Sequence, residues 1–283
     1  MAVSNFMNAV SKDVQQTLIL FLSERGHGKS TSLKSIIQHI LKTQPETVIK
    51  VFDTSTSWYR VAPLPWRQRV TLDKLTKGKI VNLDNSVYEL GDLPLEYRRM
   101  FVASIIQSDF TKARENTIED DSTPKTIYVI EESNTIFNSY SFRKNDEYST
   151  VLSDFVSVGR NFGMSAFLVA TAATGELSPS LRRRSRRIYG RVTAPGDLQQ
   201  ARRRSPQLAE QIKNQPRFVF SYEGDTIYTA KLPDTCKNTP TEHIPEPQAT
   251  TTQTESNFND QWWITFGSTL MIFILFWGWL MNL

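Results

Sequence analysis

The sequence predicts an α/β fold, with a mostly parallel central sheet flanked by helices, followed by a single C-terminal transmembrane helix. Between residues 17 and 232, continuous apolar runs alternate with stretches of helical spacing, a pattern typical of parallel strands covered by helices. A stretch rich in Thr, Pro and Gln comes next, and the last 22 residues contain no Asp, Glu, Lys or Arg. We therefore divide the chain into an N-terminal segment, an α/β domain, a flexible linker and a membrane segment: 1–16, 17–232, 233–260 and 261–283.

The apolar runs and helical patterns of the domain follow one another in order. Strands are predicted at short, mostly apolar runs, at Thr17–Leu22, Thr47–Phe52, Ile127–Ile130 and Ser165–Ala170. Helices are predicted where apolar residues recur every three or four positions, at Thr31–Lys42, Leu95–Arg114 and Tyr148–Arg160.

The C-terminal run from Trp262 to Leu283 has the length and composition of a membrane-spanning helix. At about 1.5 Å per residue it extends roughly 33 Å, enough to cross a hydrocarbon core of about 30 Å. Tryptophans lie at both ends of the run, as in the aromatic belts of spanning helices. The alternative is a buried core helix, but such helices rarely run this long without a polar face. The flanking charges say little about topology.

The charge is distributed unevenly. The whole chain carries +4, whereas five acids and one lysine give residues 233–283 a net −4, so residues 1–232 carry +8. A basic domain suggests a polyanionic partner. The single cysteine, Cys236, excludes a disulfide scaffold.

A glycine-rich turn between the first strand and first helix matches a nucleotide-binding loop, except that Ser replaces Gly at its first position. Gly26 and Gly28 let backbone N–H groups turn toward a phosphate, and the helix that follows adds its positive end. Lys29 would reach the β- and γ-phosphates of ATP, Ser30 would bind Mg²⁺, and Thr31 would contact the α-phosphate. The alternative is a glycine turn with an incidental Lys-Ser. The nucleotide-binding residues are thus predicted to be Ser23, Glu24, Arg25, Gly26, His27, Gly28, Lys29, Ser30 and Thr31.

Two adjacent acids follow the third predicted strand. A hydrolysing P-loop enzyme needs one carboxylate for the Mg²⁺ shell and one to activate water, and we assign these roles to Glu131 and Glu132. The alternative is a solvated acidic pair. Asp53, after the second strand, either caps a turn or joins the ligand-binding edge of the sheet.

Together with these motifs, three segments indicate a family: Gly159–Ser165, the strand Ala166–Thr171, and Glu176–Arg182. In this order they resemble the FtsK–HerA superfamily of ring-forming DNA pumps, which includes the genome-packaging ATPases of viruses with an internal membrane. The resemblance covers roughly residues 17–230. It implies a RecA-like core, a hexameric ring, and ATP-driven movement of double-stranded DNA. It also implies that Arg160 reaches the γ-phosphate of a neighbouring subunit, as a third catalytic residue beside Lys29 and Glu132.

The sequence departs from this family at two places. The family usually has a glutamine sensor after the fourth strand, where this chain has Ala172, so Thr171 or Thr174 would have to replace it. Glu131 stands where the family generally has Asp, which lengthens the metal-binding side chain by one methylene.

Clustered arginines are the remaining feature. Arginine suits sequence-independent contacts with a phosphate backbone, and the alternatives are a solvated surface or anionic lipid head groups. The predicted DNA-binding residues are Arg182, Arg183, Arg184, Arg186 and Arg187, and a second group comprises Arg202, Arg203 and Arg204.

The expectation from the sequence is a membrane-anchored, ATP-hydrolysing motor that packages a viral genome. The anchor would lie in a virion internal membrane or a host cytoplasmic membrane, with the ATPase domain on the cytosolic side because it needs ATP. Other capsid-vertex proteins would be further partners. One alternative is a membrane-bound assembly or secretion ATPase that moves protein subunits. A second is a membrane structural protein that binds nucleotide without hydrolysing it.

Overall fold

The computed structural model describes residues 2–55, 58, 64–119, 125–138 and 147–233. The predicted transmembrane segment and all but the first residue of the predicted linker lie outside these ranges. Within them, no helix combines the length and the apolar character needed to cross a membrane.

The described strands join in a single sheet. In chain order they are β1 (Leu18–Leu22), β2 (Val48–Asp53), β3 (Trp66–Arg69), β4 (Ser86–Glu89), β5 (Thr126–Ile130), β6 (Met164–Ala170), β7 (Ser185–Tyr189), β8 (Val219–Glu223) and β9 (Ile227–Lys231). Their order across the sheet is β3-β4-β2-β5-β6-β1-β7-β8-β9. Neighbours from β3 to β7 in that order are parallel, and β8 and β9 add an antiparallel hairpin at one edge. The predicted mostly parallel sheet is confirmed.

Helices supply the connections that parallel strands require. They are α1 (Ala2–Val14), α2 (Lys29–Thr43), α3 (Leu72–Thr76), α4 (Leu95–Glu119), α5 (Ser133–Ile136), α6 (Glu147–Val158), α7 (Pro179–Arg184), α8 (Pro195–Arg204) and α9 (Pro206–Lys213). The predicted helix Tyr148–Arg160 ends two residues early, and a short 3₁₀ helix, Gly159–Phe162, completes the connection to β6.

Both faces of the sheet are covered. One face packs under α1 and α2, whose buried Phe6, Val10, Ile36 and Ile40 belong to the same core as alternate residues of β1, β2, β5 and β6. On the other face, the Phe52 ring lies 6.2 Å from Phe101 of α4, and Tyr128 lies 5.4 Å from Phe155 of α6. Burial on both faces explains why the central strands are mostly apolar, although β2 also contains the buried Lys50.

This architecture brings several strand ends to one edge. Because β1, β2, β5 and β6 are parallel, their carboxyl ends lie side by side. The predicted phosphate loop, Glu131 and Thr171 follow the ends of β1, β5 and β6, and Asp53 is the last residue of β2, so all of them lie along the same edge of the sheet. Ligands of open α/β sheets bind at this edge.

The N-terminal segment is part of the same body. The sequence shows no strand in residues 1–16, which is why the prediction separates them from the domain. Helix α1 instead buries Phe6, Met7, Val10 and Val14 in the core, and it contacts β9 and α2. Asp13, near its end, accepts a hydrogen bond from Tyr222 at 2.6 Å.

Candidate active site

The phosphate loop spans the gap between Leu22, the last residue of β1, and Lys29, the first residue of α2. Gly26 and Gly28 both adopt positive φ values, 78° and 86°, which favour glycine. The Lys29 ammonium donates to the backbone oxygens of Ser23 and Glu24, at 3.1 Å from the latter. Burial lowers the pKa of Lys29, and the nearby Glu131 carboxylate opposes that effect. The loop therefore holds a partly buried lysine at its centre, in the position from which it would contact the phosphates of a nucleotide.

The surroundings of Ser23 explain why serine can replace glycine at the first position of the loop. Its backbone is outside the left-handed region, so this position does not need glycine. The side chain is buried and packs closely on Gly190, where an added Cβ would lie 2.3 Å from the Ser23 Oγ. Glycine at 190 thus makes room for serine at 23.

Glu24 connects the phosphate loop to the segment that follows β7. Its backbone N–H donates to the Arg191 oxygen at 2.8 Å, and its carboxylate accepts from the Thr193 hydroxyl. The Arg191 Nε lies 3.4 Å from the same carboxylate. These contacts give Glu24 a structural role in the loop, beside its predicted place in the nucleotide site.

Phe218 packs against the loop from the start of β8. Its φ of 63° is positive, its N–H donates to the His27 oxygen at 3.3 Å, and its oxygen accepts from Leu232. A Cβ built on Gly28 would lie 2.3 Å from the Phe218 ring. Gly28 is therefore required both by its backbone conformation and by this close approach.

Glu131 lies buried beside the loop, with 6% of its surface exposed. Its carboxylate accepts hydrogen bonds from the Ser30 hydroxyl and from the Trp58 indole N–H, the latter at 3.0 Å. Burial raises the pKa of Glu131, the two hydrogen bonds counteract this, and the Asp53 charge adds to the increase. The structure therefore brings together Ser30 and Glu131, the two residues predicted to serve Mg²⁺.

The chemistry of this pair fits Mg²⁺. Magnesium prefers oxygen ligands, and it is usually held by one or two carboxylates together with waters and substrate phosphates. A hydroxyl and a carboxylate in contact, next to a phosphate loop, are such a donor set.

Asp53 caps the turn that follows β2. It is fully buried, and its carboxylate accepts from the backbone N–H groups of Ser55 and Trp58, both at 2.9 Å. The capping interpretation of Asp53 is therefore confirmed. The negative charge of Asp53 also raises the pKa of Glu131, so the two carboxylates interact electrostatically.

Glu132 is more exposed than its neighbour. It precedes α5 with a positive φ of 49°, and 47% of its side chain is exposed. The Arg98 guanidinium lies 3.9 Å from the carboxylate. An exposed carboxylate at this edge can polarise water, and the role of general base stays a prediction.

The two candidate sensors differ in their surroundings. The Thr174 hydroxyl donates to the buried Asp197 at 2.6 Å, and the backbone N–H groups of Thr174 and Ala173 donate to the same carboxylate. Thr174 thus has an internal partner 23 residues away. Thr171 is exposed directly after β6, at the edge that carries the phosphate loop. The geometry favours Thr171 of the two.

Arg160 lies at the amino end of β6, on the side of the sheet opposite to the phosphate loop. It is exposed in the 3₁₀ helix that precedes β6, whereas the phosphate loop follows the strands. The seven residues of β6 separate the two edges by about 20 Å at 3.3 Å per residue. Arg160 cannot reach the phosphate loop of its own chain, so the predicted catalytic role requires a second subunit.

The arginine cluster divides into paired and exposed members. Arg186 and Arg187 are in β7, where Arg186 contacts Asp13 at 2.6 Å and Arg187 contacts Glu223 at 3.5 Å. Arg187 is 8% exposed and also donates to the Arg182 oxygen. Arg183 and Arg184 are exposed on α7. Buried internal ion pairs leave little of Arg187 for DNA, whereas Arg183 and Arg184 remain accessible.

Comparison with known proteins supports the fold. No protein-family model and no curated protein sequence matches the chain. The genome packaging NTPase B204 from Sulfolobus turreted icosahedral virus 2, in complex with ATP-gammaS, matches with a TM-score of 0.55 and 15% identity, over 77% of this chain and 98% of that chain. The chain has the fold of a P-loop ATPase. This fold is the one implied by the resemblance to the FtsK–HerA superfamily.

Two further structures with this P-loop ATPase fold come from other systems. VirB4 of Thermoanaerobacter pseudethanolicus matches with a TM-score of 0.51 and 10% identity, over 76% of this chain and 89% of that chain. Thermomonospora curvata EccC (ATPases 2 and 3), in complex with a signal sequence peptide, matches with a TM-score of 0.51 and 15% identity, over 80% of this chain and 40% of that chain.

Proposed function

We propose that the chain hydrolyses ATP to translocate double-stranded DNA, and that it packages a viral genome into a membrane-containing capsid. The observation that carries the ATPase proposal is the contact of Ser30 with Glu131 beside the Lys29 loop, at the carboxyl edge of the sheet. The same fold in a genome packaging NTPase supports the choice of DNA.

Each residue has a distinct task in this proposal. The backbone N–H groups of the loop and Lys29 bind the β- and γ-phosphates, while Ser30 and Glu131 hold the metal shell. A bound Mg²⁺ would neutralise the charge that develops on the transferred phosphate. Glu132 accepts a proton from the attacking water, and Arg160 of a neighbouring subunit adds positive charge at the γ-phosphate. Arg160 therefore links hydrolysis to assembly of a ring, which we propose to be hexameric.

The basic charge supports a DNA substrate. Residues 1–232 carry +8 by composition, and Arg183 and Arg184 are exposed on one short helix. Residues 261–283 would anchor the ring in a virion internal membrane or host cytoplasmic membrane, with the ATPase domain on the cytosolic side. Capsid-vertex proteins would contact the ring there.

A second candidate function is protein translocation. EccC in complex with a signal sequence peptide shares the fold, so the fold alone accommodates a peptide substrate. In this alternative the chain moves protein subunits across or along a membrane. The two functions differ in whether duplex DNA or a peptide stimulates hydrolysis.

The test is ATP hydrolysis by the full chain, with and without duplex DNA, beside the Lys29→Ala variant. The proposal predicts that DNA raises the rate, that added salt abolishes the increase, and that Lys29→Ala abolishes hydrolysis. Hydrolysis that is indifferent to DNA would favour protein translocation. Hydrolysis that survives in the Lys29→Ala variant would contradict the assignment of the site.

A further inference from the structure

Trp58 lies beside the carboxylate that is predicted to serve Mg²⁺. It is fully buried five residues after the end of β2, and its backbone N–H donates to Asp53 at 2.9 Å. Its indole N–H donates to the Glu131 carboxylate at 3.0 Å. The Lys34 ammonium of α2 lies 5.7 Å from the ring centroid. Trp58 therefore connects the turn after β2, the helix after the phosphate loop, and the carboxylate after β5.

The hydrogen bond to Glu131 constrains a side chain that has considerable freedom. A glutamate has one more rotatable bond than an aspartate, so its carboxylate needs additional contacts to be held in one orientation. Ser30 also donates to this carboxylate, but Ser30 is itself a candidate metal ligand. The indole N–H can only donate, and an indole does not bind Mg²⁺. Trp58 is thus a partner that can hold Glu131 without competing for the metal.

Asp53 in turn holds Trp58. Its carboxylate accepts from the backbone of Ser55 and from that of Trp58, which fixes the turn that carries the indole. The order of contacts is therefore Asp53 to Trp58 to Glu131. Residues that do not bind the metal but donate hydrogen bonds to its ligands orient those ligands. Their removal typically changes metal affinity by about 10- to 100-fold.

We propose that Trp58 is a positioning residue that orients the Glu131 carboxylate toward the Mg²⁺ of the bound nucleotide. The inference rests on the proposed ATPase function, and it assigns to Trp58 a contribution to metal affinity that acts through Glu131. Trp58 itself touches neither the nucleotide nor the metal in this assignment.

The test measures binding of ATP-gammaS to the full chain as MgCl₂ is increased, without hydrolysis and without DNA. Trp58→Phe keeps an aromatic ring but lacks the N–H donor, so it should raise the MgCl₂ concentration for half-maximal binding by about tenfold. Binding without Mg²⁺ should be unchanged, which a general disruption of the fold would not allow. Trp66→Phe is the matched control, because Trp66 lies in the edge strand β3, and it should leave the Mg²⁺ dependence as in the unmodified chain.

A double-variant comparison tests whether Trp58 acts through Glu131. In a Glu131→Ala background the carboxylate is absent, so Trp58→Phe should cause no further change in Mg²⁺ dependence. Trp58→Met, with a flexible side chain that adapts to irregular cavities, gives the same comparison if Trp58→Phe does not fold.

Two results would overturn the inference: an unchanged Mg²⁺ dependence in the Trp58 variants, or an equal shift in the presence and absence of the Glu131 carboxylate. Failure of the unmodified chain to bind ATP-gammaS at any Mg²⁺ concentration would instead overturn the proposed function itself.

Discussion

Replacing Gly28 by alanine tests the packing of the phosphate loop against Phe218. Gly28 has a φ of 86°, and a Cβ at this position would lie 2.3 Å from the Phe218 Cε1. Ordinary carbon contacts begin near about 3.5 Å, so the ring would have to move by about 1 Å. The Phe218 backbone is held by hydrogen bonds to His27 and Leu232, which limits that movement.

Gly26→Ala is the matched control. Gly26 also has a positive φ, 78°, but nothing lies within 4 Å of the position that a Cβ would take there. Alanine in the left-handed region costs about 1–2 kcal/mol at either position. Overpacking against Phe218 adds about 1–3 kcal/mol at position 28 alone. For a chain of this size the additional cost lowers the Tm of Gly28→Ala by about 2–10 °C relative to Gly26→Ala.

Thermal unfolding of the two variants measures this difference. A second comparison introduces Gly28→Ala into a Phe218→Ala background, where the additional cost should disappear because the ring is absent. Equal Tm values for Gly28→Ala and Gly26→Ala would refute the reasoning. A cost of Gly28→Ala that is the same with and without the Phe218 ring would also refute it.

Three other predictions follow from buried charges and exposed arginines. Because burial raises the pKa of Glu131 above that of an ordinary glutamate, the stability of the fold decreases as pH rises from the ordinary value of about 4.3 to the raised pKa. Glu131→Gln should therefore raise the Tm of the nucleotide-free chain at pH 8, and the gain should vanish below about pH 4. Lys50→Met leaves the buried Asp109, now 2.7 Å from the ammonium, without its cation, and chemical denaturation should show a loss of about 3–5 kcal/mol; a loss under about 1 kcal/mol would contradict this. Arg183→Ala should weaken duplex binding and reduce the slope of log K against log salt concentration by about 1, without changing the Tm. Arg187→Ala should instead lower the Tm, because it removes an internal ion pair. The opposite pattern in a binding titration and a thermal melt would reverse our assignment of these arginines.

The sequence predicts those parts of the fold that depend on local patterns. Strands β1, β2, β5 and β6 are buried on both faces, so each is a mostly apolar run that can be recognised without knowledge of its neighbours, although Lys50 interrupts the run in β2. The phosphate loop and the Glu131 position follow from the same strands, because the ends of parallel strands meet at one edge.

The sequence does not predict features that depend on distant partners. Strand β7 contains Arg186 and Arg187, which resemble a surface cluster until their partners Asp13 and Glu223 are known. The Thr174 hydroxyl is a reasonable candidate sensor until Asp197 is seen to accept from it. In each case the partner of the charge or hydroxyl is a residue far along the chain, and the local spacing of residues does not indicate which residue that is.

Trp58 is an intermediate case. Trp58 and Tyr59 directly follow the polar run 54–57, and a tryptophan there is a sequence signal that could have drawn attention to it. Its contact with Glu131, which is 73 residues away, depends on the adjacency of β2 and β5 in the sheet. That adjacency is a property of the topology and becomes visible only in the structure.

The most direct test of the central claim is ATP-driven displacement of a third strand from a DNA triplex by the full chain. The account predicts displacement that requires ATP and is lost in Lys29→Ala and Glu132→Gln, because a motor that moves along duplex DNA strips off the third strand. Hydrolysis of ATP on this DNA at a full rate, with the third strand left in place, would contradict DNA translocation.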